Sequence, residues 1–73
     1  MEKRIALIRH APVELYKILK FENLAASGGE AKVLIDQGLV KVNGNVEMRR
    51  RKKIFPGDQI EFENFLIDIQ LEE

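Results

Sequence analysis

The spacing of the apolar residues changes at Gly38, and this change constrains the fold more than any other feature of the sequence. From Val13 to Gly38, apolar residues recur three and four positions apart, as they do on one face of a helix. After it, they alternate with polar residues, as in strands that are buried on one side. A chain of 73 residues holds one domain at most. We therefore predict a single α+β domain over residues 1–73.

The first predicted helix begins near Pro12 and ends near Glu22, since the missing N–H of proline is not needed in a first turn. Three apolar residues would form its buried face: Leu15, Ile18 and Leu19. Asn23 tolerates the left-handed conformation that ends a helix, and Leu24 would fold back onto the helix end. A helix this short needs packing against the rest of the chain to persist.

The second predicted helix starts at Ser27, because Ser27 and Glu30 have the spacing of a capping box. Three apolar residues would form its buried stripe: Ala31, Leu34 and Ile35. Gly38 would end this helix by adopting a positive φ. Both helices therefore lie in the first half of the chain.

An edge strand is predicted over residues 3–9, with Ile5 and Leu7 on one face, and four more strands follow Gly38. The apolar positions of those four strands are Val40 and Val42, Val46 and Met48, Ile60 and Phe62, and alternate residues of 65–71. Turns are predicted at Asn43-Gly44, at residues 56–58 and at Asn64. The first of these suits a type I′ hairpin, since both residues tolerate positive φ.

Charge is distributed unevenly along a chain whose net charge is zero. Residues 41–53 contain six cations and one acid, whereas residues 54–73 contain six acids and no cation. Five consecutive cations form what we name the basic run: Arg49, Arg50, Arg51, Lys52 and Lys53. Because burial of an uncompensated charge is expensive, we predict that the basic run is a loop, a bulge or an overhanging strand end in water.

Two interpretations of the basic run compete. It could be a solvated edge that prevents aggregation of strands. It could instead be a contact surface for a polyanion, since its three guanidinium groups match the geometry of phosphate. We favour the second interpretation. The acidic C-terminal segment would then point away from the partner.

The start of the second helix offers another possible anion contact, because the first turn of a helix has free N–H groups and a partial positive charge. Gly28 and Gly29 leave room there for a phosphate, although each costs up to about 1 kcal/mol of helix propensity. That cost indicates close approach by RNA or by another part of the fold. A capping box with nearby packing is the alternative. Lys32 would offset the charge of Glu30.

Several classes of function are disfavoured by composition. The absence of cysteine excludes disulfides, cysteine-based zinc sites and thiol nucleophiles. The single histidine, His10, is predicted to be structural or exposed, and the C-terminal acids to form a solvated face. We therefore predict no catalysis, no metal and no cofactor. No apolar stretch approaches the roughly 18 residues of a membrane helix, so we predict a cytoplasmic protein without a membrane partner.

The joint spacing of these elements resembles the S4-type RNA-binding domain, also known as the alpha-L motif, over residues 13–62. The pattern is carried by Leu15, Leu19, Asn23, Ser27, Ala31, Lys32, Leu34, Ile35, Gly38, Val40, Val42, Asn43, Gly44, Gly57, Asp58 and Ile60. Within the family, the chain is most similar to small stand-alone bacterial members of the YaaA and YbcJ type. These members also show Ser-Gly followed by Ala-Lys and a basic run.

The resemblance implies a fold of two short antiparallel helices on a small, mostly antiparallel, curved sheet. It also implies RNA binding through the start of helix two and the strands and loops that follow. Carried over by position, the candidate contacts are Ser27, Gly28, Lys32, Lys41, Asn43, Gly44 and the basic run, to which the amide of Gly29 is added. Many members have arginine directly after the serine, where this chain has Gly28. A phosphate-binding side chain is therefore missing there.

We predict from these features a non-catalytic, monomeric protein that docks structured RNA, either ribosomal or transfer RNA. The alternatives are a protein-interaction module that uses the basic run to bind an acidic partner, and a DNA-binding protein. Only Phe55 among the aromatic residues is adjacent to the basic run, which disfavours a platform for base stacking.

Overall fold

Two short helices pack on one face of a five-stranded sheet in the computed structural model, which describes residues 1–73. The helices are α1, Leu15–Phe21, and α2, Gly28–Asp36. The strands are β1 (Glu2–Ile8), β2 (Val13–Glu14), β3 (Val40–Val42), β4 (Asn45–Val46), β5 (Lys53–Ile54), β6 (Gln59–Phe62) and β7 (Phe65–Leu71). Neither helix has the length and apolar character needed to cross a membrane.

The sheet has the strand order β1-β7-β6-β3-β4, and β2 with β5 forms a separate two-stranded ladder. Only β1 and β7 pair in parallel, whereas the other neighbours are antiparallel. The predicted α+β fold with a mostly antiparallel sheet is therefore confirmed. The first strand lies at the edge of the sheet, as its sequence predicted.

The core lies between the helices and the sheet and consists of sixteen buried residues, all of them apolar. The helices contribute Leu15, Ile18, Leu19, Ala31 and Ile35. The five-stranded sheet contributes Ala6, Ile8, Val40, Val42, Ile60, Phe62, Ile67 and Ile69. The predicted helix faces are thus confirmed, except that Leu34 is only partly buried against the core.

Helix α1 begins at Leu15, so the prediction that Pro12 lies in its first turn is wrong. Val13 and Glu14 are extended and pair instead with Ile54 and Lys53 of β5. The cause is a tertiary contact between segments far apart in the chain, which overrides the local preference of proline. The predicted end of α1 is confirmed, since Asn23 has a φ of 60°.

The apolar faces of two strands also differ from expectation. Ile5 and Leu7 share a face of β1, but they are 57% and 58% exposed, because the helices cover the opposite face, which carries Ala6. Val46 lies in the return strand as predicted, but the prediction that Met48 also belongs to it is wrong: β4 ends at Val46, and Met48 is exposed in the following loop. The basic run follows in this loop and ends in β5, as predicted for charges that must stay in water.

The hairpin between β3 and β4 turns at Asn43-Gly44, as predicted. These two residues have φ values of 51° and 86°, and the neighbouring pair Val42 and Asn45 closes the two-residue loop. Positive φ at both positions is the requirement of a type I′ turn. The turn between β6 and β7 also has two residues, and its positive φ lies at Glu63 rather than at Asn64.

The contrast between buried and exposed positions of α2 leads to a prediction about stability. We expect Ile35→Val to lower the free energy of unfolding by about 0.5–1.5 kcal/mol, because Ile35 is fully buried and the lost methyl group leaves a cavity. The matched control is Val33→Ala on the same helix, which should change it by less than about 0.5 kcal/mol because Val33 is half exposed. Urea unfolding followed by circular dichroism measures both. Equal decreases in the free energy of unfolding for the two variants would contradict the packing of α2 on the sheet.

Candidate nucleic-acid interface

The basic run lies against the first turn of α1 through its own backbone. The N–H of Leu15 donates to the carbonyl of Lys52 (2.9 Å), and the N–H of Tyr16 donates to the carbonyl of Arg50 (3.1 Å). The first N–H groups of a helix have no acceptor within the helix. Helix α1 has no side chain that caps it, so the carbonyl groups of the basic run serve this purpose. The backbone of the run is therefore fixed relative to α1.

Tyr16 brings the start of α2 and the basic run to one surface. The centre of its ring lies 4.6 Å from the Nζ of Lys32, 5.8 Å from the Cζ of Arg51 and 5.9 Å from the Nζ of Lys17. The face of an aromatic ring attracts cations at such distances. Gly28 lies beside the same ring, since a Cβ at this position would be 3.5 Å from its Cε2 atom. We name Tyr16, Lys17, Lys32 and Arg51 the Tyr16 cluster.

Tyr16 was not among the residues predicted for the site. Its position on α1 next to Leu15 gave no signal, because the contacts that define its role come from α2 and from the basic run. Those contacts exist only after the chain has folded. Of the predicted site residues, Gly28, Lys32 and Arg51 are brought together around this ring.

Two cations of the basic run are paired with acids of the same chain. Arg49 donates to both carboxylate oxygens of Glu47, at 2.9 and 3.1 Å. Arg50 donates to both carboxylate oxygens of Asp36 at the end of α2, one of them at 2.8 Å. Hydrogen bonds from the arginines hold the pKa of Glu47 and of Asp36 below their usual values. The same bonds raise the pKa of Arg49 and Arg50.

The other three cations of the basic run, Arg51, Lys52 and Lys53, take part in none of the five ion pairs of the structure. Lys32 of the Tyr16 cluster is likewise without a carboxylate partner. A shallow depression beside the cluster is lined by Arg49, Arg51, Lys52, Lys53 and Phe55. Four of the seven cations that take part in no ion pair are therefore gathered around Tyr16 and this depression, whereas Lys3, Arg4 and Lys20 lie elsewhere. This arrangement can bind an anion without breaking an internal ion pair.

The start of α2 is capped by Ser27, whose Oγ accepts a hydrogen bond from the N–H of Glu30 (3.1 Å). Gly28 and Gly29 provide N–H groups of the first turn, which lack acceptors within the helix. A Cβ would make only ordinary contacts at either glycine, with Tyr16 at 3.5 Å or with Ser27 at 3.8 Å. Packing within the fold therefore does not require glycine at either position. The capping bond of Ser27 and the contact of Gly28 with Tyr16 are observed, and approach by a ligand stays a prediction.

Lys41 lies apart from the Tyr16 cluster. It sits between two buried valines of β3, so its side chain points to the face of the sheet that the helices do not cover. There its Nζ lies 3.9 Å from a carboxylate oxygen of Glu61 on β6. The five-stranded sheet separates Lys41 from Lys32, so one phosphate group cannot contact both.

Asn43 uses both ends of its amide within the fold. Its Oδ1 accepts from the N–H of Gln59 (2.9 Å), and its Nδ2 donates to Asp58 (3.1 Å). These bonds fix the hairpin turn to the start of β6. Gly44 lies exposed in the same turn and has open space around it. The predicted contacts of Asn43 and Gly44 with RNA therefore depend on the backbone of the turn rather than on the amide side chain.

No three side chains of histidine, aspartate or glutamate are clustered so that they could hold a metal ion. His10 is exposed and lines an open depression with Val13 and Phe21. Every buried polar side-chain atom has a hydrogen-bond partner.

The ion pair of Arg50 leads to a prediction about titration. In Arg50→Gln, the pKa of Asp36 should rise towards its ordinary value, because the hydrogen bonds that favour the ionised carboxylate are lost. Carbon-detected NMR titration of the carboxyl groups measures this change. Arg51→Gln is the matched control and should leave the pKa of Asp36 unchanged, since Arg51 contacts Tyr16 instead. A rise of equal size in both variants would show that general charge, and not this pair, sets the value.

Comparison with known proteins gives related chains of similar length. The chain is 41% identical over 64 residues to the "Putative RNA-binding protein YbcJ" of Escherichia coli, which covers 88% of this chain and 91% of that protein. It is 36% identical over 53 residues to the "Probable ribosome maturation protein RlbA" of Bacillus subtilis, covering 73% of this chain and 75% of the relative.

A solved structure and a family model agree with this relationship. The solution structure of YbcJ from Escherichia coli, described as revealing an alfaL motif involved in RNA binding, matches with a TM-score of 0.66 at 37% identity. The match covers 96% of this chain and 87% of that one. The model of the S4 domain matches residues 6–70. Since this is nearly the whole chain, the protein belongs to the S4 domain family.

Proposed function

We propose that this protein binds structured RNA, ribosomal or transfer RNA, and catalyses no reaction. The relatives support the class of ligand, since one is named for RNA binding and another for ribosome maturation. The second name makes ribosomal RNA the first choice. We further propose that the chain acts as one domain over residues 1–73, as a monomer, in the cytoplasm, where both kinds of RNA are abundant.

The observation that carries the proposal is a group of four cations that take part in no ion pair: Lys32, Arg51, Lys52 and Lys53. They are gathered at one surface of a chain that carries no net charge. In water their mutual repulsion is screened, and phosphate groups would remove it while releasing counterions from the RNA. The attraction is therefore local and does not depend on the total charge of the protein.

The surface has two parts with different roles in the proposed complex. The four cations that take part in no ion pair, Lys32, Arg51, Lys52 and Lys53, would contact successive phosphates. The first N–H groups of α2, at Gly28 and Gly29, would donate to another phosphate. The hydroxyl group of Ser27 would continue to accept its hydrogen bond from the N–H of Glu30. Lys41 and the Asn43-Gly44 turn would contact only an RNA large enough to reach around the edge of the sheet.

Arg49 and Arg50 have an indirect role in this proposal. Each already shares two hydrogen bonds with a carboxylate, so a phosphate contact requires the loss of that pair. The pairs tie the basic run to the end of α2 and to the loop after β4. They thereby hold the run in place, while its three remaining cations face outward.

The difference between paired and unpaired arginines gives a direct test. We expect a slope of log affinity against log salt of about −2 to −3.5, as for three or four phosphate contacts. Arg51→Gln should flatten this slope by about 0.7–0.9, since it removes one such contact. Arg50→Gln makes the same chemical change at the neighbouring residue and should leave the slope nearly unchanged. Fluorescence anisotropy with labelled fragments of ribosomal RNA, at several salt concentrations, measures both.

The triple variant Arg51→Gln, Lys52→Gln and Lys53→Gln should lower affinity at least about tenfold at low salt, with an unchanged circular dichroism spectrum. Wild-type affinity in this variant would remove the basis of the proposal.

A competition experiment identifies the class of ligand, with transfer RNA and duplex DNA as competitors. Stronger competition by DNA than by RNA would reassign the ligand, and a partner retained from lysate after ribonuclease treatment would favour an acidic protein.

Gly29 gives a second test, in which stability and binding change in opposite directions. Gly29→Ala should raise the free energy of unfolding by about 0.4–1 kcal/mol, because alanine restricts the unfolded chain and its methyl group meets only an ordinary contact in the folded one. The same methyl group should weaken RNA binding by obstructing the N–H groups of the first turn. Chemical denaturation and fluorescence anisotropy measure the two effects.

The control for Gly29→Ala is the reverse change at an exposed neighbour outside the helix. Ala26 lies just before the cap, and Ala26→Gly alters the flexibility of the backbone without placing a methyl group at the helix start. It should lower stability slightly and leave the affinity for RNA unchanged. A Gly29→Ala protein that is more stable but has unchanged affinity would exclude the start of α2 from the interface.

A further inference from the structure

Phe55 is the one aromatic residue that lines the cationic depression, where its neighbours are Arg49, Arg51, Lys52 and Lys53. Half of its surface is exposed to solvent. A single exposed apolar residue is ordinary on a protein surface. One ring does not form a platform for several stacked bases, which the sequence disfavours. Beside four cations, however, it adds a single flat apolar contact to a surface that otherwise binds by charge.

The fold determines that the ring of Phe55 faces outward. The preceding residue, Ile54, is fully buried and pairs with Val13 of β2. Side chains alternate between the two sides of an extended segment, so Lys53 and Phe55 both point away from the core. The aromatic ring and the cation are thereby presented on the same side.

The backbone that carries Phe55 is held rigidly. The carbonyl of Phe55 accepts from the N–H of Asp58 (3.1 Å), and its N–H donates to the carboxylate of Asp58 (2.8 Å). Pro56 and Gly57, the latter with a φ of 95°, occupy the central positions of this turn, as in type II turns. The N–H of Gly57 also donates to the carbonyl of Ile69 on β7 (2.8 Å). The backbone of Phe55 is therefore fixed before any ligand arrives, which lowers the entropy lost on binding.

An aromatic face beside several cations matches the chemistry of a nucleotide, whose base can stack on the ring while its phosphates contact the cations. A base inside a continuous duplex is stacked on its neighbours and cannot reach the ring. Phosphate contacts to a duplex alone would make no use of the ring. The ligand that uses the whole depression thus has at least one unpaired nucleotide.

We propose that Phe55 stacks on an unpaired base, so that this protein prefers structured RNA with a bulge, a loop or a strand end next to a helical segment. The inference rests on the proposed function and makes its class of ligand more specific. The unpaired base lies on Phe55, and the adjoining phosphates lie on Arg51, Lys52 and Lys53. Arg51 also contacts Tyr16, so it connects the depression to the Tyr16 cluster and to the start of α2.

The test uses two RNA hairpins with the same stem, one fully paired and one with a three-nucleotide bulge that contains 2-aminopurine. Wild-type protein should bind the bulged hairpin about five- to a hundredfold more tightly, the gain expected from stacking one base. Phe55→Leu should lose this preference and keep the affinity of wild type for the paired hairpin, with the same salt dependence. Phe55→Tyr should retain the preference.

Fluorescence of 2-aminopurine provides a second readout that reports on the base itself. It should be quenched on binding to wild type and not on binding to Phe55→Leu. Equal affinity of wild type for both hairpins, without quenching, overturns the stacking inference and leaves the proposed function intact. If Phe55→Leu loses the same amount of affinity for both hairpins, the stacking inference is also overturned, because the substitution then has a general effect on the surface. If wild type binds neither hairpin nor ribosomal RNA, the proposed function fails with it.

Discussion

The structure of the candidate interface depends on two backbone hydrogen bonds, from the N–H groups of Leu15 and Tyr16 to the carbonyl groups of Lys52 and Arg50. These donors belong to a helix start that no side chain caps, and burial of unpaired donors would be costly. The fold therefore needs this stretch of backbone at the start of α1. Because the backbone of the basic run caps the helix, the side chains of Arg51, Lys52 and Lys53 need not do so and remain available to solvent and to a ligand.

The five cations of the basic run divide into two groups with opposite relations to the fold. Exposed ion pairs such as those of Arg49 and Arg50 contribute little to stability, so their main effect is on the position of the run. The folded-state pKa of Asp36 is lowered, so the contribution of its pair is present at neutral pH and is lost as the pH falls through that lowered pKa. At physiological pH both pairs are therefore intact. The charge offered to a partner is that of the unpaired cations.

Local rules were sufficient to predict much of the fold. The cap at Ser27 and the turn at Asn43-Gly44 depend on residues close together in the chain, and the structure agrees with both. The start of α1 could not be predicted, because it depends on pairing of Val13 with Ile54. The division of the basic run into paired and unpaired cations could not be predicted from the sequence either. It depends on how far Asp36 lies from the run in space, which sequence spacing does not indicate.

Several side chains of this surface, and the two glycines of the helix start, are not required by the fold, and their occurrence together is more informative than charge alone. Gly28 and Gly29 weaken a helix in which alanine would fit, Phe55 exposes half of an aromatic ring, and three neighbouring cations lack partners. Each feature by itself has an ordinary explanation. Arg51 connects these features, because it contacts Tyr16 beside the start of α2 and also lines the depression of Phe55. A ligand with both phosphates and an exposed base would use all of these features together.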